Sequence, residues 1–228
     1  MTDVPRDPIA IDVGEVLGEV LSDVKRSVTS LYSSLVTRPT GRAVRSAIQL
    51  QVEGAGTVSL SLIDFSEVSI IDFSCADEVV AKLLQEYLDD GPPDAYFVFS
   101  GVHEPHRDQI ETVLTRQALA AVVETHPGVF GLLGKHSAGE ARVWGVLEEH
   151  GAIDAEEVDA LLPGAEDREA LGGLVRRRLA FRSPASGRVH ALSRLGPLCT
   201  CGPSPDALLR THTRRVQVRR VRQDRPIL

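Results

Sequence analysis

The chain is poor in cysteine. It has three in 228 residues, Cys75, Cys199 and Cys201. So few exclude a disulfide framework and fit a reducing compartment. No apolar run approaches the ~20 residues that a membrane-crossing helix needs, so no membrane partner is expected. The opening MTDVPRDPIAIDVGEV lacks a basic stretch followed by an apolar core, so it does not read as a signal peptide. No Gly-x-Gly-x-x-Gly or Walker pattern occurs, and no internal repeat. What is present is a hydrophobic content of 43%, enough for a real core. These features together predict a soluble cytoplasmic protein.

The net charge of −7 conceals a division. Residues 1–165 carry 11 Lys/Arg against 27 Asp/Glu, a net of −16. Residues 166–228 carry 14 Arg against 5 Asp/Glu, a net of +9. An acidic body with a basic end suggests that the basic end meets a polyanion.

Apolar residues at Val13, Val16, Leu17, Val20, Leu21, Val24, Val28, Leu31 and Leu35 recur every three or four positions. This spacing predicts an amphipathic helix over about 12–35, at near-heptad spacing that would allow a homodimer. Pro39 ends it, and TRPTGRAVRSAI opens a second helix with Thr40 as N-cap. TVSLSLIDF alternates as a strand does, a short turn follows, and VSII is a brief apolar run. Ser74 and Asp77 have the spacing of a capping box for a helix through Leu88. AYFVFSG reads as a strand, RDQIETVLTR as a helix and LAAVVE as a last short strand. Strands alternating with helices predict an α/β fold, a mixed sheet with helices on one face. THPGVFGLLGKH, residues 125–136, reads as a domain boundary. Beyond it come three helical stripes and a hairpin turning through Ser183–Gly187.

The first part resembles the STAS fold of bacterial anti-anti-sigma factors, in the branch with Thr-Arg, then Gly/Ala-Arg, an Asp-Phe strand and Ser-x-Ala-Asp-Glu. Here these are Thr37, Arg38, Gly41, Arg42, Asp64, Phe65, Ser74, Ala76, Asp77 and Glu78. The resemblance implies a STAS-like domain over 36–127 that docks a partner, often a histidine-kinase-like ATPase that phosphorylates a serine. Phe73 stands at the position usually phosphorylated, so Ser74 is expected to cap a helix rather than switch. Asp64, Asp72, Ser74, Asp77 and Glu78 become the docking or switch residues. The second part resembles a winged helix-turn-helix, an α+β domain over 137–196. That resemblance implies DNA contact through Arg168, Arg176, Arg177 and Arg178 on the third helix and Arg182 and Arg188 at the wing. Glu166, Asp167 and Glu169 in that helix's first turn would repel phosphate. The tail, residues 197–228, has seven arginines from Arg210 to Arg225 and no aromatic there for base stacking.

Asp64, Asp72, Asp77 and Glu78 would need a shared pocket to catalyse anything. His103 and His106 flank Pro105 in a loop and lack a third ligand. Cys199 and Cys201, even with His190 and His212, make a poor zinc set. The expectation is a bacterial, non-catalytic regulator without cofactor or metal, its docking domain coupled to a DNA-binding domain. The alternative is a protein-interaction adaptor that binds a kinase-like ATPase and no DNA.

Overall fold

A computed structural model describes residues 12–14, 24–55, 58–88 and 94–195. The protein is α/β, built on a six-stranded sheet whose strand order follows the chain. The strands are β1 (Asp12–Gly14), β2 (Lys25–Leu35), β3 (Val58–Ile71), β4 (Asp94–Ser100), β5 (Ala120–His126) and β6 (Val129–Gly134). Strands β2 to β5 run parallel, while β1 and β6 are antiparallel edges.

Each parallel pair needs a crossover. The first is α1 (Arg38–Ala55). The second is a continuous helical run of α2 (Phe73–Ala76), a π-helical turn (Asp77–Ala81) and α3 (Lys82–Glu86). The third is α4 (Glu104–Arg116). With sequential strands and crossovers of one hand, all three fall on one face of the sheet. One core forms there, from Val44, Ile48 and Val52 of α1, Val79 and Leu83 of the second crossover, Ile110 and Leu114 of α4, and Ile63, Phe65, Phe97 and Phe99 beneath.

The opposite face presents Leu60, Leu62, Tyr96, Val98, Ala120 and Val122. A C-terminal unit covers it: α5 (Ala138–His150), β7 (Ala152–Ile153), α6 (Val158–Leu161), α7 (Ala165–Arg176), β8 (Ala180–Arg182) and β9 (Val189–Ala191). Its Val143, Trp144, Leu147, Leu174 and Phe181 share a second core with the sheet. The central strands are therefore buried on both faces, which is why AYFVF and LAAVV are unbroken apolar runs. Phe181 meets Tyr96 edge-on at 5.4 Å. Arg178 bonds Asp94 at 2.7 Å and lies 5.6 Å from the Tyr96 ring centroid.

Three expectations are corrected. Residues 25–35 are a strand, not part of an amphipathic helix; residues 1–11 and 15–23 lie outside the described residues. Leu31 and Leu35, four apart, share one core as same-parity positions of a strand do, while Val28 packs against the other. Even intervals along a strand buried on both faces thus imitate the spacing of a helix. A dimer through such a helix loses its basis. Second, the turn expected within 66–67 is absent: β3 runs through it for 14 residues. Third, residues 125–136 are no linker. They close β5 onto β6 through Pro127 and Gly128 (φ +75), and Leu133 enters the core. The limits drawn at 36–127 therefore cut through the six-stranded sheet, leaving out β2 and β6, and the unit over 137–196 shares a core with that sheet. The tail, 197–228, lies outside the described residues.

Candidate functional site

Strand β2 delivers Thr37 to the start of α1, and β3 delivers Asp72 to the start of α2. The two segments meet side by side. Asp72, rather than Ser74, is the N-cap of α2: it accepts from Cys75 N–H at 2.7 Å and from Ser74 Oγ at 2.9 Å. It also accepts from Thr37 N–H at 2.8 Å. Thr37 has φ +76, a left-handed conformation that a β-branched residue adopts at a cost of ~1–3 kcal/mol. Its carbonyl accepts from Gly41 N–H at 3.2 Å and Cys75 Sγ at 3.0 Å. The strain is held in place from both ends of the peptide.

Gly41 has a separate reason to be glycine. A Cβ there would lie 2.9 Å from Glu78 Cβ and 3.0 Å from Cys75 Cα. Helix α1 therefore approaches the second crossover at backbone distance, and its next turns lay arginines over that helix.

Asp77 and Glu78 begin the π-helical turn, in which Lys82 N–H donates to Asp77 C=O five residues back. Such turns are rare and recur at functional sites. Glu78 is fully buried. Its Oε1 accepts from Arg38 Nη1 at 2.8 Å and Lys82 Nζ at 2.5 Å, and lies 3.5 Å from Arg42 Nε; Oε2 lies 3.2 Å from Arg45 Nη2. Asp77 takes Arg38 at 2.8 Å and Lys82 at 3.4 Å, and accepts from Gln117 Nε2 just beyond α4. It is thus no capping residue; the carboxylate ties all three crossovers together.

Burial alone would raise the pKa of Glu78, but the hydrogen bonds from Lys82 and Arg38 and the charges of Lys82 and Arg45 outweigh it and lower it. Asp72 is likewise lowered, because its bonds from Thr37, Cys75 and Ser74 overcome its desolvation. Burial, then the charge of Asp72, pushes the Cys75 thiol up to about 12, so it is an inert packing group.

Of the expected docking residues, Asp72, Ser74, Asp77 and Glu78 come together. Asp64 is occupied elsewhere, accepting from Ser66 N–H and Ser66 Oγ at 2.9 Å each beside Gly101. The Asp77–Glu78 partners Arg45, Lys82 and Gln117 were not read from the sequence. Arg38, Arg42 and Arg45 at i, i+4, i+7, and Glu78 with Lys82 at i, i+4, were the available signals.

The expected DNA-contacting arginines are scattered and largely occupied. Arg168 bonds Asp159 at 3.2 Å and the Pro163 carbonyl at 3.0 Å. Arg177 bonds Glu140 at 2.8 Å and the Lys135 carbonyl at 2.6 Å, and Arg178 belongs to Asp94. Arg188 lies 3.4 Å from Asp154. Arg176 and Arg182 are exposed and have no ion-pair partner among the described residues. His106 is buried against the Ser69 carbonyl at 3.4 Å. Among the described residues no group of three or more His, Cys, Asp or Glu could hold a metal ion, and no helix is long and apolar enough to cross a membrane. Cys199, Cys201 and His212 lie outside the described residues. No protein-family model matches the chain, and no curated protein matches it.

Proposed function

We propose that the protein is a non-catalytic regulator that docks a partner protein on the helical face where Thr37–Arg45 meets Asp72–Lys82. One observation carries this reading: a strained Thr37, a π-helical turn and a fully buried Glu78 under four cations coincide at one helix junction. Strain and buried charge cost stability, and they concentrate at sites of recognition. The carboxylates face cations from neighbouring helices and are consumed by them, so they suit a shaped surface better than reaction chemistry. The resemblance to STAS domains supports the same reading, because two of its three motif segments, Thr37–Arg42 and Ser74–Glu78, converge at this junction. A kinase-like ATPase is the partner class that the resemblance suggests.

The test is affinity capture from the source organism, with the full chain as bait. A protein retained by the wild type and lost with Arg42→Glu, in a variant that keeps the wild-type unfolding midpoint, supports docking here; the Arg42 side chain is 62% exposed but lies 3.5 Å from Glu78, so the midpoint is measured alongside. An identical set of captured proteins from both baits overturns it.

A second reading is nucleic-acid binding by the C-terminal unit. Its order of helix, short strand, two helices and hairpin supports this reading, because it is compatible with the winged helix that the resemblance implies. Exposed Arg176 and Arg182, with Arg188 near the same hairpin, supply two or three phosphate contacts rather than six. Two contacts weaken binding about tenfold between about 50 and about 200 mM salt, where six would give about a thousandfold. Duplex DNA titrated at both salt levels measures the slope. Absence of binding at the lower one removes the reading.

A further inference from the structure

The charge network is layered. Its two inner anions are Glu78 and Asp77, with side chains 0% and 12% exposed; a third, Glu86, is 45% exposed at the margin and is held by Arg45. Its cations lie outside: Arg38, Arg42 and Lys82 are 40%, 62% and 33% exposed. The surface above two buried carboxylates is therefore cationic. Arg42 reaches Glu78 only through Nε at 3.5 Å, which leaves both terminal nitrogens without an ion-pair partner among the described residues. A guanidinium offers five N–H donors in a fork that matches a carboxylate.

The surface continues onto the third crossover. Asp77 holds Gln117, and the adjacent Arg116 is exposed, its guanidinium 5.1 Å from the centroid of the Phe73 ring. Arg116 has no acid within ion-pair distance among the described residues. Arg42, Arg38, Lys82 and Arg116 thus form a strip across α1, the second crossover and α4, with half-buried Phe73 at one end. It lies on a segment of strongly negative total charge, residues 1–165 at 11 Lys/Arg against 27 Asp/Glu.

We infer that this strip takes an acidic peptide segment of the partner protein, its carboxylates on Arg42 and Arg116. The inference rests on the docking reading above and names the chemistry of the partner. An isolated positive strip on an acidic molecule steers a negative segment to one place and repels it elsewhere. Length decides between peptide and nucleic acid. A duplex carries a charge every ~1.7 Å along a stiff rod and extends past the strip at both ends, whereas a short acidic segment ends with it.

The experiment is fluorescence anisotropy of a labelled oligoglutamate peptide and of a labelled duplex DNA, each titrated with the full chain. The peptide is expected to bind saturably and to lose about tenfold or more in affinity from about 50 to about 200 mM salt. Arg42→Glu and Arg116→Glu should each weaken it about tenfold or more, because each places a like charge against the peptide. Lys25→Glu, at an exposed position at the start of β2, should leave it unchanged. Failure of the peptide to bind, an equal loss with Lys25→Glu, or duplex DNA as the ligand lost on Arg42→Glu would each overturn the inference. Cellular capture separates the two levels. A partner that needs Arg42 but stays bound in about 0.5 M salt, where the Debye length falls to a few ångströms, overturns the acidic segment and leaves docking standing.

Discussion

The two faces of the sheet are held by different physics. Under α1, the second crossover and α4, the apolar core is joined at its outer margin by a fully buried glutamate, an aspartate and four cations. Under the C-terminal unit the contact is apolar, with Trp144, Leu147, Leu174 and Phe181 against Leu62, Tyr96 and Val98; its ion pairs stand at the rim. Burying apolar surface stabilises without demanding a geometry. Burying charge returns little stability for its desolvation but fixes positions closely. Both faces thus bury apolar surface, and only the first adds a buried charge network at its margin.

The largest test of that contrast is Leu147→Ala. Leu147 is fully buried in the second core, and its truncation should cost about 4 kcal/mol in denaturant unfolding. Because that core includes the sheet, one transition should remain; two would show that the C-terminal unit folds separately. Gly41→Val should cost about 3 kcal/mol, since its side chain meets Cys75 and Glu78 where the helices cannot part without breaking the ion network. Replacing Glu78 with Gln leaves Arg38, Arg42, Arg45 and Lys82 without their anion. Partial exposure of those partners holds the loss to about 2 kcal/mol, below that of a fully sealed pair.

Acid should act on the same face. Glu78 and Asp72 both titrate below their ordinary range. Their stabilisation is complete above the unfolded carboxylate values of about 4 and is lost as pH falls through the lower folded values. Unfolding measured between pH 5 and 2, approximate limits that span this window, should steepen there for the wild type and less for Glu78→Gln. The smallest effect belongs to the rim of the other face. Arg178→Ala removes one ion pair, to an Asp94 side chain that is 47% exposed, and a ring contact; the cost should be about 1 kcal/mol, with no change in acid sensitivity.

Much of the framework was legible in local pattern. Helix α4, strand β4 and the helices and hairpin of the C-terminal unit follow their apolar spacing. Strand β2 was not legible. It is buried on both faces, so Val28 on one side and Leu31 and Leu35 on the other add up to intervals of three and four, as in a helix. Strand β6 was hidden by Gly131 and Gly134, which read as loop. Yet Gly134 (φ +95) is required where a Cβ would meet Leu114 Cβ and the Leu119 carbonyl at 2.6 Å. The capping string was read one step late: Ser74 has the right spacing, but Asp72 has the carboxylate with three donors in reach.

The sequence by itself determined the alternation of elements, the unbroken apolar runs of central strands and the residue types at the helix junction. Those depend on chain neighbours, whose spacing is fixed by covalent geometry. Only the tertiary structure decided that Arg38, Arg42 and Arg45 would lie over Glu78 some 40 residues on, and that Arg168, Arg177 and Arg178 would be spent within the fold. Charge has no period along a chain. What an arginine does depends on which acid the packing of other residues brings within about 4 Å of it.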